Sequence, residues 1–353
     1  MKIGIIGDQH FKDNLSYSDY ISDGRKAEKK EVLDFIVETF KDCDHVVLMG
    51  DNFNSKNNSS ETNRDFIEFI ERFENKELYI IAGNHEKKGN GKTAIDFIGE
   101  IKKKNWHVFT KPNTISFVIK HAAMGPSTLQ PNIFKLDFLP YMHHSELGTE
   151  NRDESTKKIM EGLKGGDILF AHHTISGSSW NGIKAESLIT EVVLPKEELE
   201  KRYKFVVGGH IHVPQQIGNT LVTGSLFTGE VGETEKFIYI IDEKLECKSF
   251  KVPCREIHKL TNPTFNQLQK IPKNSIVKVI ITVKGLDIEV LKKYLSEFDA
   301  HLLIEDYPSD RKKAHIEEGA FDFTLESLLK LYADEKQIDY SKLLNGLQLI
   351  NEK

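Results

Sequence analysis

The chain has 353 residues, with 48 Lys and Arg against 54 Asp and Glu and a formal net charge of -6. That length holds a full catalytic domain plus a smaller one, and the acidic balance excludes the strongly basic footprint of an autonomous duplex binder. No apolar run approaches the roughly 18 residues that span a bilayer, and three cysteines, Cys43, Cys247 and Cys254, form neither an even framework nor a CxxC pair.

The expected setting is therefore reducing and cytoplasmic, with free thiols and no membrane contact. Met1 leads directly into a strand, which leaves no space for a leader peptide. A nucleic-acid substrate stays open where metals, local basic patches or a partner supply positive potential.

In chain order, the apolar run Lys2–Gly7 reads as a buried strand and ends in Asp8-Gln9-His10. Arg25–Phe40 carries a helical stripe of Val32, Phe35, Ile36 and Phe40. The next strand, His45–Met49, ends in Gly50-Asp51. Thr62–Phe73 is a second helix whose apolar face, Phe66, Ile67, Phe69, Ile70 and Phe73, is wider than one core requires. The strand Leu78–Ala82 runs into Gly83-Asn84-His85-Glu86, and Lys92–Lys104 has the helical spacing Ile95, Ile98, Ile101. Thr114–Lys120, Leu221–Thr223 and Phe237–Ile241 look like strands of a second sheet. Asp167–Ala171 ends in His172-His173, and Lys204–Val207 ends in Gly209-His210-Ile211-His212. Strands alternating with helices predict an α/β domain, built as a four-layer α/β/β/α sandwich.

The pattern changes near Val252, where Pro253, Pro263 and Pro272 punctuate a linker-like stretch. The strand Ser275–Val283, the helix Ile288–Phe298 and the strand Ala300–Tyr307 then read as a βαβ unit. Two helical stripes follow between Leu325 and Leu349. The expected divisions are residues 1–252, a small α+β capping domain over 253–318, and C-terminal helices over 319–353.

Five strand ends carry Asp, Asn or His, which points to one binuclear metal centre, because α/β folds build their sites at strand ends. Residues i and i+2 of an extended chain share a face, so Asp8 with His10, and His210 with His212, are expected to point together. Imidazole nitrogen and carboxylate oxygen suit Mn, Fe or Zn. With no thiolate among the candidates, a structural zinc site is disfavoured. A carboxylate such as Asp51 has two oxygens and can bridge two cations. Ions about 3.5–4 Å apart clamp the attacking and leaving oxygens of a phosphoryl group and lower the pKa of bound water.

The ordered motifs DxH, GDxF, GNHE, H and GHIH resemble those of the calcineurin-like metallophosphoesterase superfamily over nearly all of residues 1–245. The resemblance implies that one metal takes Asp8, His10 and His212, that the second takes Asn84, His172 and His210, and that Asp51 bridges them. It makes His85 the catalytic residue that orients or protonates the leaving oxygen. His172 is taken as the ligand because the strand runs directly into it; neighbours in a strand face opposite ways, so His173 is expected to pack or support. Two positions depart from the usual GDxFD and GNHD patterns: Asn54 and Glu86. Both are expected to lie behind the ligands, where they can alter metal preference or ligand orientation.

Gly224-Ser225-Leu226, Gly229–Glu233 and Lys236-Phe237 resemble the segment after the last histidine motif in SbcD-type nucleases, the bacterial and phage branch of double-strand-break repair. Leu136–Tyr141 is similar to that family's strand before its central loop. The βαβ unit matches its DNA-binding cap, and the Leu325–Leu349 tail matches its ATPase-binding helices. The implied function is a metal-dependent DNA exonuclease and endonuclease of a repair or recombination complex. It would hydrolyse phosphodiesters with a hydroxide activated by two divalent ions, most often Mn2+, with Mg2+, Fe2+ or Zn2+ as alternatives. The implied partners are DNA, an SbcC-type coiled-coil ABC ATPase and a second copy of the chain, docked through catalytic-domain helices. The Phe66–Phe73 face is the candidate for that dimer, against ordinary core burial.

Other readings remain open at this point. A small-substrate phosphatase or cyclic-nucleotide phosphodiesterase would use the same metals, and a non-catalytic DNA-end or ATPase scaffold would keep the domains. Gly89–Thr93 mimics the end of a phosphate-binding loop, but the leading glycine position is Glu86. The Asn57-Asn58-Ser59 sequon has no use in a cytoplasmic protein. Lys102–Lys104 and Arg311–Lys313 can meet phosphates, although charge runs are more often solvated faces. His143-His144 reads as a loop pair.

Overall fold

The fold is described by a computed structural model of the full chain. The residues described are 1–18, 23–89, 91–119, 132–180, 182–184, 187, 191–231, 233 and 235–282, with 291, 293, 295, 299–303, 333, 339 and 340. Two compact units are present, Met1–Glu305 and Asp306–Lys353. The expected helices between Leu325 and Leu349 and the Arg311–Lys313 run fall in the second unit, almost wholly outside the described residues.

Two six-stranded sheets dominate the first unit. In the first, Lys2–Ile6, His45–Leu48, Glu77–Ile81 and Trp106–Phe109 are parallel neighbours. Phe237–Asp242 joins the other side of Lys2–Ile6 in antiparallel register, and Cys247–Lys251 forms the edge. In the second sheet, Asn132–Leu139, Gly166–Ala171, Tyr203–Gly208 and Thr220–Val222 are parallel. Antiparallel edges are supplied by Asn113–Ile119 and Gln215–Ile217.

Strand alternation explains how both sheets are buried. Ile3, Ile5, Val47 and Ile81 of the first sheet meet Phe138, Ile168, Phe170 and Val207 of the second in one cluster. The opposite face of the first sheet, including Val46, Leu48 and Ile80, packs on Val32, Ile36, Phe66 and Ile70. These come from the helices Lys26–Thr39 and Ser60–Glu71. On the outer face of the second sheet, Leu169, Ala171 and Val206 pack on Ile159, Met160 and Leu199 of two further helices. Each buried side chain of this size stabilises the fold by roughly 1.5–3 kcal/mol relative to exposure.

Four expectations need correction. Phe237–Asp242 belongs to the first sheet, because pairing follows long-range register that local periodicity does not carry. The expected Lys92–Lys104 helix shrinks to Asp96–Glu100. Lys92–Thr93 pairs instead with Lys87–Gly89, the Asp96 carboxylate takes the Thr93 N–H and hydroxyl, and Lys102 turns left-handed at φ 56°. The linker-like stretch contains a strand, Ile257–Thr261. The wide face of Ser60–Glu71 is internal: Phe69 is 2% exposed and Phe73 0%, with the Phe69 ring against Phe11 and Phe73. Phe66, Phe69, Ile70 and Phe73 pack within one chain.

Ile257–Thr261, Ile276–Ile280 and Asp299–Leu303 make a parallel three-stranded sheet of their own. Parallel pairing of the last two is the arrangement a βαβ unit requires. Val277, Val279 and Ile281 pack with Leu268, Leu291 and Leu295. Ile257 and Ile276 lie instead against Tyr17 and Val231. Among the described residues no helix is long and apolar enough to cross a membrane.

Candidate metal centre

Three neighbouring strands of the first sheet and two of the second deliver the ligand-type side chains. Where the two sheets meet, backbone packing is close. A Cβ on Gly50 would sit 2.3 Å from His172 Nδ1, and one on Gly83 would sit 2.1 Å from Asp51 Oδ1. The ligand loops can approach only because both positions are glycine.

The extended i, i+2 geometry expected for Asp8/His10 and His210/His212 is not what the chain uses. His10, Asp51 and His210 are left-handed, at φ 47°, 45° and 75°. Non-glycine residues rarely adopt this region, and each costs about 1–3 kcal/mol of strain that surrounding contacts must hold. The turns are fixed by backbone bonds. His10 N–H donates to Asp51 O at 2.8 Å, and Leu226 N–H to Asp8 O at 2.7 Å. His210 N–H donates to the Asp8 carboxylate at 3.0 Å.

Three overlapping donor groups result among the described residues. Asp8, His10 and His212 form the first, Asp51, His172 and His210 the second, and His10, Asp51 and His85 a third that shares a residue with each of the others. In the first, the Nε2 atoms of His10 and His212 are 2.9 Å apart. Burial pushes the His10 imidazole down to about 3, so its ring is neutral. In the second, the Asn84 Oδ1 position lies 3.0 Å from His210 Nδ1 and 3.2 Å from His172 Nε2, and 3.1 and 3.3 Å from the Asp51 oxygens. An amide oxygen facing both Asp51 oxygens and the His210 Nδ1 lone pair needs a cation between them, or a turned amide whose NH2 donates. Asp51 reaches the first and second groups: His172 Nε2 is 3.4 Å from Oδ1 and His10 Nε2 is 3.8 Å from Oδ2. Asp8 and Asp51 are 0% and 1% exposed, and their ion-pair partners among the described residues are histidines. Buried carboxylates facing lone pairs fit divalent ions.

Three of the four ligand-type rings are held from behind, whereas His10 Nδ1 is buried without a hydrogen-bond partner among the described residues. Met49 O accepts from His172 Nδ1 at 2.8 Å, which leaves Nε2 facing the centre. Glu191 accepts from His210 Nε2 at 3.1 Å, which leaves Nδ1 facing it. Glu233 Oε1 lies 3.6 Å from His212 Nδ1. Burial opposes charge on Glu233, but His212 and Lys236 hold its carboxyl down to about 2. Glu86 ties two ligand loops together, accepting from Phe53 N–H at 2.7 Å and Gly83 N–H at 2.6 Å. Burial, with Asp51 nearby, pushes its carboxyl up to about 8. Asn54 acts through its backbone, its carbonyl accepting from His85 Nδ1 at 2.7 Å.

Glu191 has no sequence signal: it stands in a loop with neither motif nor period. Carboxylates behind metal-bound histidines raise metal affinity 10- to 100-fold. Glu191→Ala is expected to lose that factor for Mn2+ while melting like wild type, as titration calorimetry beside a thermal melt would read. Unchanged affinity would dismiss the role.

Burial opposes charge on the His172 ring, but Asp51 and Asp8 outweigh it and raise its pKa from 6.5 to about 10. Without a cation the ring is protonated at neutral pH. Because the folded value is the higher one, its stabilisation is complete below about 6.5 and is lost as pH rises through about 10. A metal must displace that proton. Mn2+ affinity is therefore expected to rise roughly tenfold per pH unit between about 7 and 9. Calorimetry in buffers of different ionisation enthalpy would count the proton released, and a flat pH profile would contradict this charge state.

All seven predicted ligand positions and His85 converge. His173 does not: its Nε2 accepts from Met142 N–H at 3.2 Å and its ring stacks on Tyr141. It is a packing residue, as strand alternation predicts. His143 caps a short helix, accepting from Ser145 N–H. Of the Gly89–Thr93 segment, Lys92–Thr93 pairs with Lys87–Gly89 as a short antiparallel ladder. A cleft of about 310 Å3 opens over the first group, lined by His10, His85, Asn54, Lys12, Trp180 and Phe227 among others.

The model of one protein family, described as Calcineurin-like phosphoesterase, matches residues 1–214. That span contains every position that converges on the centre. No curated protein matches the chain.

Proposed function

We propose that this chain, which belongs to the calcineurin-like phosphoesterases and is a metal-dependent phosphoester hydrolase, cleaves the phosphodiester backbone of DNA. The observation that carries this reading is the position of the third sheet. Ile257 and Ile276 pack on Tyr17 and Val231, neighbours of Ser16 and Glu230, which line the cleft. A polymer that enters the cleft meets a second surface there, which a small phosphoester would not use. The reading takes the three apolar clusters as the four-layer α/β/β/α order and the third sheet as a cap on DNA. It includes exonuclease and endonuclease activity in repair or recombination, in an SbcD-type subunit.

Asp8, His10 and His212 would hold one ion, Asn84, His172 and His210 the other, with Asp51 between them. When bound, such ions polarise the phosphoryl oxygens and activate water for in-line attack, with Mn2+ our preferred pair. The chain supplies the rest. His85 keeps a proton on Nδ1 for Asn54 O and presents Nε2 3.9 Å from Asp51 Oδ2, open to the cleft. From there an imidazolium His85 would give its Nε2 proton to the departing sugar oxygen and return to the neutral ring that keeps the Nδ1 proton. The partners in this reading are a coiled-coil ABC ATPase of the SbcC type, held by the C-terminal tail, and a second copy docked through catalytic-domain helices. That contact would use side chains other than the buried Phe69 and Phe73.

The test presents the purified chain and Mn2+ with linear duplex DNA, single-stranded DNA, a chromogenic diester and a phosphopeptide. DNA cleavage supports the reading. Cleavage of the small ester with DNA untouched would replace it by a small-substrate phosphoesterase. No cleavage of any substrate, even with the ATPase present, would favour a scaffold.

A further inference from the structure

Trp180 is 40% exposed and lines the cleft that His10, His85 and His212 also line. Its ring centroid is 6.5 Å from that of His212. It stands on a two-stranded hairpin, Ser179–Trp180 against Ile183–Lys184. Loops are usually loose carriers for a side chain, but this one is clamped. Gln215, three residues beyond His212, accepts from Ser179 N–H at 3.0 Å and donates to Ser179 O at 2.8 Å. The hairpin is thereby tied to the strand Gln215–Ile217 that follows the GHIH motif, and the indole is held beside His212. Phe227 lines the same cleft but is 7% exposed, so of these two carbocyclic rings it is that of Trp180 that an incoming group can reach.

We infer that Trp180 forms a subsite for a nucleobase, stacking the base of a nucleotide next to the scissile phosphodiester; this rests on the DNA reading above and names a specificity residue within it. Every base has a π-face, so a stacking plate accepts any sequence while still selecting a nucleotide over a bare diester. A stack also requires a splayed base, which a single strand or a frayed end provides without unpairing. The subsite therefore favours unpaired DNA. Because the indole touches a part of the substrate remote from the reacting atoms, it contributes to binding and leaves the chemical step alone.

The experiment compares wild type, Trp180→Ala and Trp180→Phe under Mn2+ on a single-stranded oligothymidylate and on the same strand with abasic residues flanking the cleaved bond. Trp180→Ala is expected to raise KM for the base-bearing strand roughly tenfold, with kcat within about twofold. It should leave the abasic strand unchanged, and Trp180→Phe should recover most of the loss. A second readout needs no turnover: in excess chelator, the oligothymidylate should quench wild-type tryptophan emission more than the abasic strand does, and Trp180→Phe should remove that difference. An equal effect of Trp180→Ala on both strands, or no effect on either, overturns the subsite while DNA cleavage stands. A chain that cleaves duplex DNA but neither strand overturns the subsite alone, and one that cleaves no DNA overturns it together with the DNA reading.

Discussion

Asp51→Asn is expected to strip one metal ion from the protein and to lower turnover at least a thousandfold. The carboxylate is 1% exposed and stands with the first and second donor groups, 3.4 Å from His172 and 3.8 Å from His10. Removing its charge leaves the second group with Asn84, His172 and His210, all neutral when they ligate. A divalent ion in a buried, uncharged site has lost its main electrostatic support. Metal stabilisation of the transition state amounts to several kcal/mol, and about 1.4 kcal/mol is a factor of ten in rate. Asn has the same shape, so the turn at φ 45° and its backbone bonds can survive. Metal content after dialysis, kcat on a diester and a thermal melt together test this. The same variant should bring the His172 pKa down, since Asp51 is the foremost influence raising it, and so flatten the pH dependence of Mn2+ binding. A variant that keeps two ions per chain and a tenth of the activity would remove Asp51 from between the metals.

His85→Ala separates metal binding from proton handling. The His85 ring is 40% exposed, and its Nδ1 is committed to Asn54 O. The backbone N–H, which donates to Asp51 Oδ1 at 2.9 Å, is kept by alanine. Metal content is therefore expected to stay unchanged while kcat on DNA falls roughly 10²–10⁴-fold, the usual worth of a positioned general acid. The deficit should shrink for a diester that releases p-nitrophenolate, because that leaving group departs without a proton. A deficit of equal size on both substrates would mean that His85 orients the substrate without protonating it.

Much of the fold was readable because strand-forming runs and their turn residues are adjacent in the chain. Lys2–Ile6, His45–Leu48 and Glu77–Ile81 are strands within a residue or two of expectation, as are Gly166–Ala171 and Tyr203–Gly208. Sheet membership was harder. Phe237–Asp242 has a strand's composition in either sheet, and its place beside Lys2–Ile6 is set by partners more than 200 residues away. The Phe66–Phe73 stripe was ambiguous for a related reason. An apolar face states that it is buried but not against what, and here Phe11 and Phe53 fill the space.

The sequence by itself determined the chemistry: which side chains bear lone pairs, that they follow strands, and that the set suits divalent ions on a phosphoester. These are properties of residue type and local spacing. Only the tertiary structure decided how they converge. Left-handed turns at His10 and His210 replaced the extended geometry that i, i+2 spacing suggests, and Asp51 adopts the same region. Glu191 entered the site from a position whose spacing carries no ligand pattern, and His173 packs on Tyr141. The reason is physical: a strained backbone or a buried carboxylate persists only where neighbours from distant strands satisfy it, and those neighbours exist only after the two sheets have packed.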